Sequence, residues 1–284
     1  MERDRNIHWY PGHMAKAKRL ISESVAQVDI IVEVLDARLP LSSRNADFDA
    51  LFASKKRLIV LNKSDLADER ATASFEAYYR ELGFVVCSFC SVRGSNKKAL
   101  AGIEQAAAEV VEKYRAKGIK KTVRALVAGI PNVGKSAFIN ALSRGARAKT
   151  GDRPGVTRGK QWVKVSPFLE LLDTPGVLWP KLENQQFARR LAYAGCIKDD
   201  ILNRVALAAD LLAELHERYG GRIAQTYGIQ ERADGQEMLL SICEQRGFLL
   251  PGAELDTERG AQIVLDEFRA GKLGRITLDK VVEA

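Results

Sequence analysis

Gly129-Ile130-Pro131-Asn132-Val133-Gly134-Lys135-Ser136 fits the phosphate-binding pattern G-x-x-x-x-G-K-S/T, and its flanks decide how it is read. Val123 to Ala128 reads as a buried strand, and Ala137 to Leu142 as the helix that follows. Glycines let successive backbone N–H groups curl around a triphosphate, and a helix N-terminus adds positive partial charge. Lys135 is then placed to pair with the β- and γ-phosphates, and Ser136 to offer its hydroxyl to Mg²⁺. Asn132, Val133, Gly134, Lys135, Ser136 and Ala137 are the candidate phosphate-binding residues, together with the Gly176 N–H at the γ-phosphate.

Upstream, the apolar run Lys56–Leu61 predicts a strand that delivers Asn62-Lys63-Ser64-Asp65 at its C-terminal end, where open α/β sheets bind ligands. An Asp carboxylate there accepts from both N1–H and the exocyclic amine of guanine, a donor pair that adenine lacks. Asp65 is that candidate acceptor, with Asn62 facing the other base edge and the Lys63 stem over the purine. Cys90 and Ser91, opening the turn that runs to Gly94, are further candidate base contacts. Downstream, Asp173-Thr174-Pro175-Gly176 ends a strand pair predicted at Gln161–Val165 and Leu169–Leu172. Ser136, Thr157 and Asp173 are the candidate Mg²⁺ residues, Thr157 from a Gly- and Arg-rich loop at Gly151–Gly159. Val177 stands where a water-orienting Gln could follow, and valine cannot position water.

Strands at Val28–Leu35, Lys56–Leu61, Phe84–Ser88 and Val123–Ala128 alternate with helices at about Glu69–Leu82 and Lys97–Lys117. This alternation predicts an α/β fold with a doubly wound sheet. From Glu183 the pattern turns helical, at Glu183–Ala194, Asp200–Tyr219, Asp234–Arg246, Asp256–Ala270 and a short end at Leu278–Val282. With 284 residues, about two domains are expected, a nucleotide domain over 1–182 and a small all-helical domain over 183–284. Cys87 and Cys90 lack a second CxxC partner motif, so the four cysteines read as reduced thiols rather than a metal or redox centre.

The motif order is unusual. In ordinary small GTPases the phosphate loop comes first and the base-reading motif last; here the order is reversed. A sheet survives such permutation because domain termini lie at the surface, often close together. The flanks narrow the resemblance. Trp9-Tyr10-Pro11-Gly12-His13-Met14-Ala15-Lys16-Ala17, Asp36-Ala37-Arg38-Leu39-Pro40, the phosphate loop, Thr150-Gly151-Asp152-Arg153-Pro154-Gly155-Val156-Thr157, and Leu172-Asp173-Thr174-Pro175-Gly176-Val177-Leu178-Trp179-Pro180 together resemble the ribosome biogenesis GTPase A (YlqF) family of circularly permuted GTPases. That resemblance covers the whole chain. It implies a P-loop GTPase that acts in late maturation of the large (50S) ribosomal subunit and is stimulated by the particle. It also implies that Asn132 helps hold a monovalent cation, K⁺, beside the phosphates, and that His13 is the catalytic residue. Ala137, where a Thr often follows Lys-Ser in the family, leaves the α-phosphate a backbone N–H alone, and Ser95 replaces a second glycine after Gly94.

Charge fits an anionic partner. The net charge is +8, but residues from Glu183 on hold 13 Lys/Arg against 17 Asp/Glu, leaving 31 against 19 before it. Basic runs at Lys16/Lys18/Arg19, Lys55/Lys56/Arg57, Lys97/Lys98 and Lys120/Lys121/Arg124 suit sequence-independent contacts to rRNA phosphates. No apolar run approaches the ~20 residues that span a bilayer, and no secretion signal opens the chain, so a cytoplasmic monomer without stable membrane association is expected. A GTP-gated RNA-binding module with incidental hydrolysis is the alternative, separated from an assembly enzyme by turnover with and without particles. Permutation also leads the γ-phosphate-sensing segment straight into the helical part, so nucleotide state is expected to bias that part's position.

Overall fold

A computed structural model describes residues 13–92, 95–143, 161–178, 184–197 and 202–281, with side chains of the first helix from residue 19. Six strands form one sheet in the order β3-β2-β1-β4-β6-β5. They are β1 (Ile30–Asp36), β2 (Lys56–Asn62), β3 (Val85–Ser88), β4 (Val123–Ala128), β5 (Gln161–Ser166) and β6 (Leu169–Asp173). Neighbours run parallel except for β5, which pairs antiparallel with β6. All seven β1 residues are buried, as a parallel strand covered on both faces requires.

One face of the sheet carries α1 (His13–Val25) and α2 (Asp47–Leu51), packing Ile21, Phe48 and Phe52 on Ile31, Leu126 and Leu172. α3 (Glu69–Glu81) sets Phe75 and Tyr79 on Ile59 and Leu61. The other face receives α4 (Lys97–Arg115) and α5 (Lys135–Leu142). After the sheet come α6 (Gln185–Tyr193), α7 (Arg204–Arg218), α8 (Arg222–Tyr227), α9 (Gly235–Arg246) and α10 (Thr257–Arg269). Their apolar stripes join the α4/α5 face in a single core running from Val32 and Val127 through Leu191 and Leu211 to Phe268. The α/β sheet with the base-reading strand ahead of the phosphate-loop strand is the permuted architecture expected.

The helical part departs from the sequence expectation at its edges. Asp234 and Asp256 are N-caps, accepting backbone N–H bonds, so α9 and α10 begin one residue later. Asn203 caps α7, which therefore starts at Arg204, and α2 and α8 were not anticipated. The larger correction is at the end: no helix forms over 278–281 among the described residues. There the chain runs back as a strap across the nucleotide part. Leu278 N–H donates to the Arg38 carbonyl at 2.8 Å. The buried Asp279 carboxylate accepts from Leu41 N–H, Ser42 N–H and the Ser42 hydroxyl at 2.6–2.7 Å. Arg190 of α6 donates to the same carboxylate at 2.9 Å and to Glu214 of α7.

Candidate nucleotide site

Strand order reverses direction between β1 and β4, so the crevice at their C-terminal ends is the ligand position of an open α/β sheet. β4 leads into the phosphate loop, β1 ends at Asp36, and β2 ends at Asn62. The loop curls through left-handed residues at Asn132 (φ 61°) and Gly134 (φ 94°), the latter being the N-cap of α5. Gly134 is required twice over, since a Cβ there would also strike the Asn62 amide. Gly176 answers a different constraint: a Cβ would meet the Pro131 backbone nitrogen at 2.6 Å, so the Asp-Thr-Pro-Gly turn lies flat against the phosphate loop.

The base-reading motif is wired into that loop. Asn62 is buried, donates from Nδ2 to the Val133 carbonyl at 2.8 Å, and accepts at Oδ1 from the Ser91 hydroxyl at 2.8 Å. Asn62 thus braces the phosphate loop against the 90–92 turn, and its amide NH₂ carries a second hydrogen besides the one given to Val133. Lys63, itself left-handed (φ 59°), donates to the Asn132 carbonyl at 2.7 Å and lies 3.0 Å from the Asp36 carboxylate. Asp65 is exposed at the rim. Cys90 is half-buried.

Asp36 is the residue that sequence reasoning missed. Its fully buried carboxylate takes two bonds from the Arg38 guanidinium, at 3.0 and 2.8 Å, as well as the Lys63 contact. Burial alone would raise this carboxyl, but Arg38 and Lys63 outweigh it and hold it well below the usual carboxylate range. The available signal was an Asp at a strand end, beside the base-reading strand, with an Arg two residues on. Arg38 continues outward, donating to the Phe268 carbonyl at 3.2 Å at the end of α10.

On the phosphate side, the Lys135 ammonium is buried and donates to the Ile130 carbonyl at 2.8 Å. Burial lowers it to about 8, partly offset by Asp173. Ser136 donates its hydroxyl to Asp173 Oδ2 at 2.8 Å. This pair of hard oxygen donors beside a phosphate loop suits Mg²⁺. Asn132 donates from Nδ2 to the Gly195 carbonyl at 2.7 Å, tying the loop to the turn after α6. Val177 is buried in the core, its N–H lying 3.4 Å from the Gly129 carbonyl and its own carbonyl accepting from Asn45. His13 is the first residue of α1. Thr157, the 151–159 loop, Arg93-Gly94 and Trp179-Pro180 lie outside the described residues.

Comparison with known proteins agrees with this geometry. A family profile described as "50S ribosome-binding GTPase" matches residues 124–237. The Bacillus cereus protein named ribosome biogenesis GTPase A is 45% identical over 276 residues, covering 96% of this chain and 93% of that protein. The chain belongs to the ribosome biogenesis GTPase A family. A Priestia megaterium family member is 43% identical, with 98% of each chain covered. The crystal structure of GNP-bound YlqF from Thermotoga maritima superposes with a TM-score of 0.67 at 28% identity, over 93% of this chain and 98% of that one. As a family member the chain is a GTPase.

Proposed function

We propose that this GTPase acts in late assembly of the large (50S) ribosomal subunit, engaging rRNA of the precursor particle in its GTP state and hydrolysing GTP there. The observation that carries the reading is the bonded unit of Asn62, Lys63, Asp36 and the phosphate loop: a guanine reader and a triphosphate cradle in one crevice. The profile and the relatives' names support the ribosomal setting, and the excess of cations before residue 183 supports an RNA partner. The protein acts as a monomer in the cytoplasm, and among the described residues no helix is long and apolar enough to cross a membrane. Residues 1–182 serve as the GTPase part and 183–284 as an rRNA-binding helical part, with the 278–281 strap crossing between them.

Roles follow from position. Asp65 reads guanine, with Asn62 at the other base edge and Lys63, Cys90 and Ser91 bordering it. The N–H groups of Asn132 to Ala137 and of Gly176 bind the phosphates, with Lys135 countering their charge. Ser136, Asp173 and Thr157 hold Mg²⁺, and an Asn132 oxygen helps hold K⁺. When bound, these cations neutralise charge that develops on the phosphate oxygens. Because Val177 is buried in the core, His13 supplies the polar group beside the attacking water on the particle.

Two variants test the reading. Asp65→Asn places an amide donor against the guanine donors, so GTP affinity should fall steeply in calorimetry; unchanged affinity would remove the base assignment. His13→Ala should leave GTP affinity near wild type and lower particle-stimulated single-turnover hydrolysis by about 10²–10⁴-fold, the range of a general acid–base group. Equal stimulated rates would make His13 structural.

A further inference from the structure

The loop that presents Asp65 is held from two sides, by its own neighbours and by the chain after α10. Within the nucleotide part, Ser64 N–H bonds the Phe89 carbonyl and Leu66 N–H the Lys63 carbonyl. Asp68 accepts from Ala71 N–H and from the N–H and hydroxyl of Thr72 at the start of α3. The strap, which begins upstream of residue 278 at Arg275, adds bonds from the other side. The Arg275 guanidinium donates to the Ser64 carbonyl at 2.9 Å and to the Ala67 carbonyl at 2.8 Å, and pairs with the Glu69 carboxylate. Ile276 N–H donates to the Leu66 carbonyl at 3.0 Å. The Thr277 hydroxyl accepts from Asp68 N–H at 3.2 Å. Every residue from Ser64 to Glu69 except Asp65 is therefore bonded to one of three consecutive strap residues, while Asp65 is exposed.

The strap is fixed in turn by the helical part. Tyr219, after α7, exchanges bonds with Thr277 through its hydroxyl, at 3.0 Å to the carbonyl and 2.9 Å from the N–H. Asp279 receives Arg190 of α6.

We propose that Arg275 and Thr277 are specificity-positioning residues: the strap sets the angle at which Asp65 meets guanine, so the helical part controls base recognition and nucleotide release. This rests on the reading of Asp65 as the guanine acceptor. None of the hydrogen bonds described for Arg275, Ile276 and Thr277 goes to Asn62, Lys63, Asp65 or the phosphate loop. A shift of one ångström at Ser64 or Ala67 tilts the carboxylate away from two donors that it must meet together.

Inosine diphosphate separates positioning from general loosening, because inosine lacks the exocyclic amine and offers one donor instead of two. Affinities of GDP and IDP are measured on the full chain by displacement of a fluorescent nucleotide, with thermal melting of each variant. Arg275 is half exposed, so its truncation leaves the core untouched. For Arg275→Ala, GDP affinity is expected to fall about tenfold or more, IDP affinity by less, and the GDP/IDP ratio to shrink at least about threefold, with faster GDP release. Arg275→Lys should behave similarly, since one ammonium cannot bridge both carbonyls. Thr277→Val should repeat the effect on a smaller scale and Thr277→Ser should restore it; this pair decides the matter if Arg275→Ala melts below the assay temperature. An unchanged ratio, or equal loss for both nucleotides, overturns the proposal while leaving the base assignment standing. A wild-type chain with no preference for GDP over IDP overturns both.

Discussion

Two carboxylates three residues apart on β1 show opposite solutions to the same burial. Glu33, in the middle of the strand, and Asp36, at its end, are both fully buried. Glu33 has one guanidinium contact, Arg57 at 3.2 Å, and its Oε1 has no hydrogen-bond partner among the described residues. Burial therefore wins and pushes its carboxyl up to about 7, against the partial opposition of Arg57. Asp36 has a two-bond Arg38 contact and Lys63 as well, and its charge survives the same desolvation. The lesson concerns function: the permanent charge sits at the sheet end, where Lys63 must be held for the nucleotide, and the titrating carboxyl sits where no ligand reaches.

The comparison breaks most visibly at Asp36. Asp36→Asn strands Arg38 and Lys63 without their buried counter-charge, and loss of one partner of a buried pair costs about 3–5 kcal/mol. Denaturant unfolding at pH 7 should show that loss, and GTP affinity should fall with it as Lys63 releases the Asn132 carbonyl. A folded-state carboxyl held this low contributes its stability above its unfolded pKa, about 3.9, so the variant's deficit should be full at every neutral pH.

Glu33 carries the opposite sign. Its folded pKa is raised, so the folded state keeps a proton that the unfolded chain releases between about pH 4.5 and 7. Stability from this group is present below that window and is lost as pH rises through it, by roughly 1–3 kcal/mol. Glu33→Gln should flatten that part of the pH–stability curve; parallel curves for the two proteins would show that Glu33 is ionised when folded.

Lys135 sharpens the contrast with the smallest effect. Like Glu33 it is buried with too little opposite charge, and burial lowers it to about 8. Phosphates supply the missing charge, so above about pH 8 binding must take up a proton. GTP affinity should decline as pH rises past 8, with proton uptake visible as a dependence of calorimetric heat on buffer ionisation. Pairs of buffers giving identical heats at pH 8.5 would place the lysine fully charged before GTP arrives.

Legibility in the sequence followed sequence distance. The phosphate loop and Asn62-Lys63-Ser64-Asp65 were readable because each places its chemistry in consecutive residues at a strand end, and the apolar runs gave all six strands within a residue or two. The bracing bonds of Asn62 were not legible because its partners, Val133 and Ser91, are chosen by packing, 71 and 29 residues away. The helix starts at α7, α9 and α10 shifted because Asn203, Asp234 and Asp256 spend their side chains as caps outside the helix. The terminal residues read as a helical end because Leu278, Val281 and Val282 are apolar. The Leu278 N–H instead bonds the Arg38 carbonyl, and the Asp279 carboxylate the N–H groups of Leu41 and Ser42, partners far back in the chain that no local pattern encodes.

The bond between Ile276 and Leu66 also has a meaning in time. Residues emerge during synthesis at about 5–20 per second, so the guanine-reading loop leaves the synthesising ribosome some 10–40 seconds before the segment that clasps it. A nascent chain can close its sheet and phosphate loop early and still lack a well-aimed Asp65. Guanine selectivity is then the last property acquired, and a translation product cut short before residue 275 would carry the phosphate loop without the fastening that aims its base reader.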